Sequence, residues 1–252
     1  MIRRCLPIAV VSALFCGSAS PASAQARGGG PPPTPRASAA VDLTGHWVAV
    51  ITEDWPLRML TPAKGAYIGV PMTPEARKIA DAWDPAADQA AGNQCKAYGA
   101  GAIMRLPGRL QITWQDDTTL KVETDAGMQT RLFSFGPRPT ALPPPSWQGF
   151  SAAQWERPPG PPNNPPPGGA LKVVTTNLRS GYLRRNGVPY SENAAVTEYF
   201  DVGALPGGGQ VLMVTTIVED PRYLFVPFIV SSQFKKETDG AKWDPTPCSA
   251  RW

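Results

Sequence analysis

Beyond Ala100 the chain is a succession of short runs in which apolar and polar residues alternate, each closed off by turn-forming residues. A period of two places successive side chains on opposite faces of a strand. The runs are 110–115, 119–124, 128–135, 171–178, 195–201, 211–218 and 227–235, and 47–52 adds another upstream. About eight sequential strands with few helices predict a single mainly β domain, an antiparallel β-barrel or a sandwich. A barrel of that strand number has an interior just wide enough for one small ligand. Asp125-Ala126-Gly127 reads as a hairpin turn in which Gly supplies the positive φ, and Gly207-Gly208-Gly209 as another.

The interruptions fit the same reading. Thr73-Pro74-Glu75 is a helix start, with Thr as N-cap and Pro at the first helical position. The helix should run to about Trp83, where Asp84-Pro85 stops it and caps a second short turn to Ala91. This is a short helical insertion near 74–91. The Pro-rich stretches 137–145 and 157–169 must be loops, because proline cannot donate to a ladder.

The N-terminus has a different character. A basic start, Met1-Ile2-Arg3-Arg4, precedes an apolar run from Cys5 to Cys16 and a small-residue cleavage site at Ala22-Ser23-Ala24. That predicts a cleaved signal peptide over 1–24. Phe15 before Cys16 is too bulky for a lipid-attachment site. Residues 25–40, dense in Gly and Pro, read as a disordered leader, and 41–252 as one β-rich domain. The expected compartment is periplasmic or secreted.

Twenty-four basic and 20 acidic residues give +4, and loss of Arg3 and Arg4 leaves +2. No run of five basic residues follows, so nucleic acid is not an expected partner. No later segment is apolar enough to predict a membrane span. Only Cys95 and Cys248 survive cleavage, and in an oxidising compartment they most simply form a disulfide. Closing so long a loop has an upper stabilising value of about 5 kcal/mol in the chain-entropy account.

Chemical motifs are sparse. His46 is the only histidine, too few for the usual zinc site, and Asp116-Asp117 lacks calcium-loop spacing. Neither metal nor cofactor is expected. Gly149-Phe150-Ser151-Ala152-Ala153 begins like a nucleophile elbow, but Pro-rich loops flank it and it ends in Ala. Gly45-His46-Trp47 resembles the Gly-x-Trp that opens the first strand of lipocalins, which implies a lipocalin-like barrel with Trp47 plugging one end.

Two polar groups stand out. In the hairpin 119–135, Glu123 and Arg131 fall on one charged face. That face either meets water or lines a barrel mouth, where it would orient a polar ligand group. In 195–201, Val196, Glu198 and Phe200 share the more apolar face, which should point inward. An inward carboxylate must be protonated, paired or hydrogen-bonded, and Tyr190 or Arg131 is the expected partner. Glu198 and Tyr190 are the candidate acid/base residues. Trp47, Trp114, Glu123, Arg131 and Tyr199 are the candidate ligand-binding set.

The blocks CKAYGAGAIMRLPG, LKVETDAGMQTRLF, PSWQGFSAAQWE, GYLRRNGVPYSENAAVTEYF and TTIVEDPRYL together resemble a group of uncharacterised exported bacterial proteins. A broader set of similar layout carries His at the positions of Phe150 and Tyr190 and Asp at that of Val174, while Glu198 matches. The resemblance implies an exported compartment and brings no reaction, substrate or cofactor. Three readings follow: a barrel binding a small apolar or aromatic molecule, a cofactor-independent lyase, isomerase or cyclase using Glu198, and a structural or partner-binding envelope protein.

Overall fold

The computed structural model describes residues 32–161 and 168–250. The expected signal peptide, the first part of the leader and the centre of the second Pro-rich loop lie outside the described residues. Nine strands close into a barrel. They are β1 (Gly45–Val50), β2 (Arg109–Trp114), β3 (Thr119–Thr124), β4 (Gln129–Phe135), β5 (Phe150–Glu156), β6 (Ala170–Thr176), β7 (Ala195–Ala204), β8 (Gln210–Glu219) and β9 (Phe228–Glu237). Each strand lies beside its neighbours in sequence, and β9 returns to β1.

The expected barrel is present, with nine strands where about eight were read and one parallel pair in an otherwise antiparallel ring. β5 is the added strand; its small residues and Pro-rich flanks hide it in the sequence. Nine strands in a ring cannot all be antiparallel, since alternation of direction fails to close on an odd number. Within the ring the one parallel pair is β4–β5, registering Phe133 with Ser151. A parallel pair requires a crossover rather than a hairpin. The Pro-rich stretch 137–145 lies in that crossover, between Phe135 and Phe150.

The β3–β4 register corrects an expectation. A three-residue turn would have set Glu123 and Arg131 on one face. The turn spans four residues, because Met128 also adopts positive φ (51°) beside Gly127 (79°). Thr124 therefore stands opposite Gln129, Glu123 opposite Thr130, and Val122 opposite Arg131. One extra turn residue flips every following side chain to the other face. Arg131 is inside the barrel, and Glu123 is outside, paired with Lys121 at 2.8 Å. Gly127 is also required sterically, since a Cβ there would run into the Tyr98 ring.

Side chains fill the barrel. Trp47, Ile112, Val122, Phe133, Leu171, Val173, Phe200, Leu212 and Val214 are fully buried in one cluster. Burying each of the larger side chains contributes about 1.5–3 kcal/mol. Segments 51–108, 177–194 and 220–227 cover one end, where a second cluster includes Met72, Leu183, Val188, Tyr190, Leu224 and Phe228. The cap holds helices α1 (Trp55–Arg58), α2 (Pro74–Asp81) and α3 (Pro85–Ala90). The Thr73 hydroxyl accepts from the Ala76 N–H, and the Asp84 carboxylate accepts from Ala86 and Ala87, as their N-cap positions require.

Cys95 and Cys248 form a disulfide. It ties the tail to the capped end, where Thr246 and Pro247 also pair with Ala126 and Gly127. No helix among the described residues is long and apolar enough to cross a membrane.

Residues 33–40, whose composition suggested a structureless leader, make a turn against the opposite end of the barrel. Ser38 N–H donates to Thr34 O, Arg36 N–H to Asp117 O, and the Trp155 indole to Pro35 O at 2.8 Å.

Candidate functional site

Between the two apolar clusters the barrel carries a polar belt, one residue from each of six consecutive strands. It comprises Arg131, Ser151, Thr175, Glu198, Thr216 and Ser232, all buried. Alternation explains the placement, since each residue belongs to the inward set of its strand, as Glu198 does between Val196 and Phe200.

Arg131 and Glu198 meet at the centre, both side chains wholly inaccessible. Nη1 donates to Oε1 at 3.0 Å and Nη2 to Oε2 at 2.6 Å, a two-pronged pair, and Nη2 also donates to Thr175 Oγ1 at 3.1 Å. The Thr175 hydroxyl is within 2.8 Å of that of Ser151, and the guanidinium lies 4.9 Å from the Phe133 ring centroid. Fork-to-fork geometry of this kind is the strongest arrangement available to a buried charge pair. The belt still leaves Arg131 Nε, Thr216 Oγ1 and Ser232 Oγ without a protein partner.

Tyr190 lies just above the belt, completely buried, its hydroxyl without a partner. Burial pushes the phenol above its usual range, while the Arg131 charge acts in the opposite direction. A Cβ at Gly99 or Gly181 would overlap the hydroxyl, so both glycines are needed to admit the ring. Glu198 therefore pairs with Arg131, and no hydrogen bond joins it to Tyr190.

The other residues expected to bind ligand are dispersed. Trp47 is buried in the core, its indole donating to Leu43 O at 2.9 Å. Tyr199 faces outward, 5.6 Å from Lys172. His46 also faces outward, with its ring 6.5 Å from that of Trp243. Glu123 is outside with Lys121. Only Trp114, at the end of β2, stands beside an open cavity.

That cavity is at the uncapped end, with a volume of about 400 Å³. Leu43, Trp114, Leu120 and Trp155 form its apolar wall, and Arg36, Asp42 and Thr44 its rim. Trp114 packs on Phe135 and Trp155 at centroid distances of 5.6 and 6.4 Å, and Phe135 on Trp155 at 5.5 Å. Asp42 is committed locally, accepting from the Thr44 N–H and hydroxyl. Partial burial raises its pKa, but these bonds and the Lys236 charge outweigh that and leave it below the usual range. Arg36 approaches a carboxylate oxygen of Asp117 only at 3.9 Å, with both side chains more than half exposed.

Sequence reasoning missed Trp155, because its strand was unrecognised, and Arg36, because its segment looked structureless. No family model, curated protein or solved structure matches this chain.

Proposed function

We propose that this is an exported barrel that binds a small apolar or aromatic molecule carrying an anionic group, at the uncapped mouth. The observation that carries the reading is the aromatic-walled cavity beside Trp114 and Trp155. Its volume is within the range of small-molecule sites, about 300–1,000 Å³, and it sets the aromatic faces of Trp114 and Trp155 beside the polar groups of Arg36, Asp42 and Thr44. Asp42 is held by Thr44, whereas Arg36 has only a loose partner and can turn to a ligand carboxylate. The disulfide suits an oxidising compartment.

Under this reading the Arg131–Glu198 pair organises the barrel rather than the chemistry. Neither residue lines the mouth cavity, and Arg131 holds both oxygens of the Glu198 carboxylate.

The test is a tryptophan-fluorescence titration of the mature protein with a panel of aromatic carboxylates, among them benzoate and indole-acetate. A saturable change is expected, with affinity about 10-fold weaker in Trp114→Ala, the loss of one aromatic anchor, and unaltered in Glu123→Gln. No saturable response to any member of the panel, or full binding by Trp114→Ala, would overturn the assignment.

A further inference from the structure

The cap buries four arginines. Arg58 ends α1, Arg105 sits in the 3-10 turn Ile103–Arg105, and Arg184 and Arg185 lie shortly after Gly181–Tyr182. Each is less than a tenth exposed, and together with Leu57 and Leu183 they line one small cavity. Guanidinium groups are costly to bury unless charge and hydrogen bonds compensate them.

Compensation of Arg58, Arg105 and Arg184 is thin. The ion pair formed at the cluster joins Arg105 to Asp54 at 3.1 Å, and the Asp54 side chain is half exposed. Backbone carbonyls supply further acceptors. Arg58 Nε donates to Arg105 O at 3.0 Å, Arg184 Nη1 to Ile68 O at 2.7 Å, and Arg185 Nη2 to Arg58 O. Arg58 Nη1 and Nη2 and Arg184 Nε are buried with no partner. Burial first, and the neighbouring Arg105 charge second, lower the Arg58 and Arg184 guanidiniums to about 10, so both remain protonated at neutral pH.

The cavity has a volume of about 10 Å³, room for one water or one monatomic ion. A neutral water would accept from these donors and leave the charge uncompensated. A phosphate or sulfate is too large. We propose that this cavity is a halide site, in which one chloride accepts from Arg58 Nη1 and Nη2 and Arg184 Nε. The ion ties two cap segments together, α1 and 183–185, beside Arg105 and over the Phe228 ring. That ring lies 6.0 and 5.9 Å from the Arg105 and Arg184 guanidinium carbons.

Thermal unfolding of the mature protein in sodium chloride and in sodium gluconate at equal ionic strength tests this. The Tm should rise saturably in chloride, by about 5 °C at saturation, and bromide should do the same. The difference should vanish in Arg58→Met. Should that variant fail to fold, wild-type crystals grown in sodium bromide give an independent readout, an anomalous peak in contact with the Arg58 guanidinium. An equal Tm in the two salts, a chloride effect that survives Arg58→Met, or bromide crystals without that peak would each overturn the site.

Discussion

The polar belt, which forms the barrel's waist, and the cap solve the same problem in different ways. Both bury arginine. At the waist, Arg131 meets one carboxylate with two prongs, and the pair is neutral within its own contacts. In the cap, the buried guanidiniums of Arg58, Arg105 and Arg184 share one half-exposed Asp54 and two backbone carbonyls. The difference teaches that a buried charge is either balanced from within the chain or leaves donors unpartnered and open to an ion from solution.

The largest effect should come from breaking the waist pair. Glu198→Gln leaves Arg131 charged and uncompensated in an inaccessible site, and should lower unfolding free energy by about 3–5 kcal/mol. Urea denaturation measures it. Replacing both partners, Arg131→Met with Glu198→Leu, removes the charge and its counter-charge together and should restore stability to within about 2 kcal/mol of the wild type. A double variant no better than Glu198→Gln would show that the belt needs its polarity for another reason.

The equivalent change in the cap should be far milder. In halide-free buffer Arg58→Met removes one charge from a crowded positive cluster, so stability should change by less than about 1 kcal/mol in either direction. A loss as large as at the waist would erase the contrast between the two regions.

The smallest effect belongs to Tyr190. Its hydroxyl has no partner, so Tyr190→Phe removes a buried unsatisfied group and should be neutral or stabilising, by up to about 1 kcal/mol. The sharper readout is pH. A phenol whose folded pKa is raised contributes stability that is fully present below its unfolded value, about 10, and is lost as pH rises beyond it. Tyr190→Phe should therefore lose less stability than wild type between pH 9 and about 12. Parallel curves for the two proteins would contradict the burial of the phenol.

Much of the barrel could be read from period-two alternation, because one face of each strand meets a core. β1–β4 and β6–β9 all show that pattern. β5 did not, since Ser151 and Ala153 on its inward face look no more apolar than its outward residues. The inward turn of Glu198 was readable from Val196 and Phe200. The position of Arg131 was not, because it hinged on whether Met128 belonged to a strand or to the turn. The mouth escaped the sequence because Arg36 and Leu43 acquire meaning only once Trp155 is placed beside them. The cap arginines occupy positions 58, 105, 184 and 185, and only the tertiary fold gathers them.

The ring of nine has a seam with a kinetic consequence. β1 pairs with β9, His46 standing opposite Glu237 and Val50 opposite Gln233, so the first strand to emerge finds its second neighbour only when almost the whole chain is available. Contacts that far apart in sequence slow folding, into the millisecond-to-second range for β topologies. Until they form, β1 and β9 each expose a row of unpaired backbone groups, the surface most prone to pairing with another chain. Closing the circle removes the last free edge, which makes the ninth strand the step that ends the molecule's exposure to aggregation.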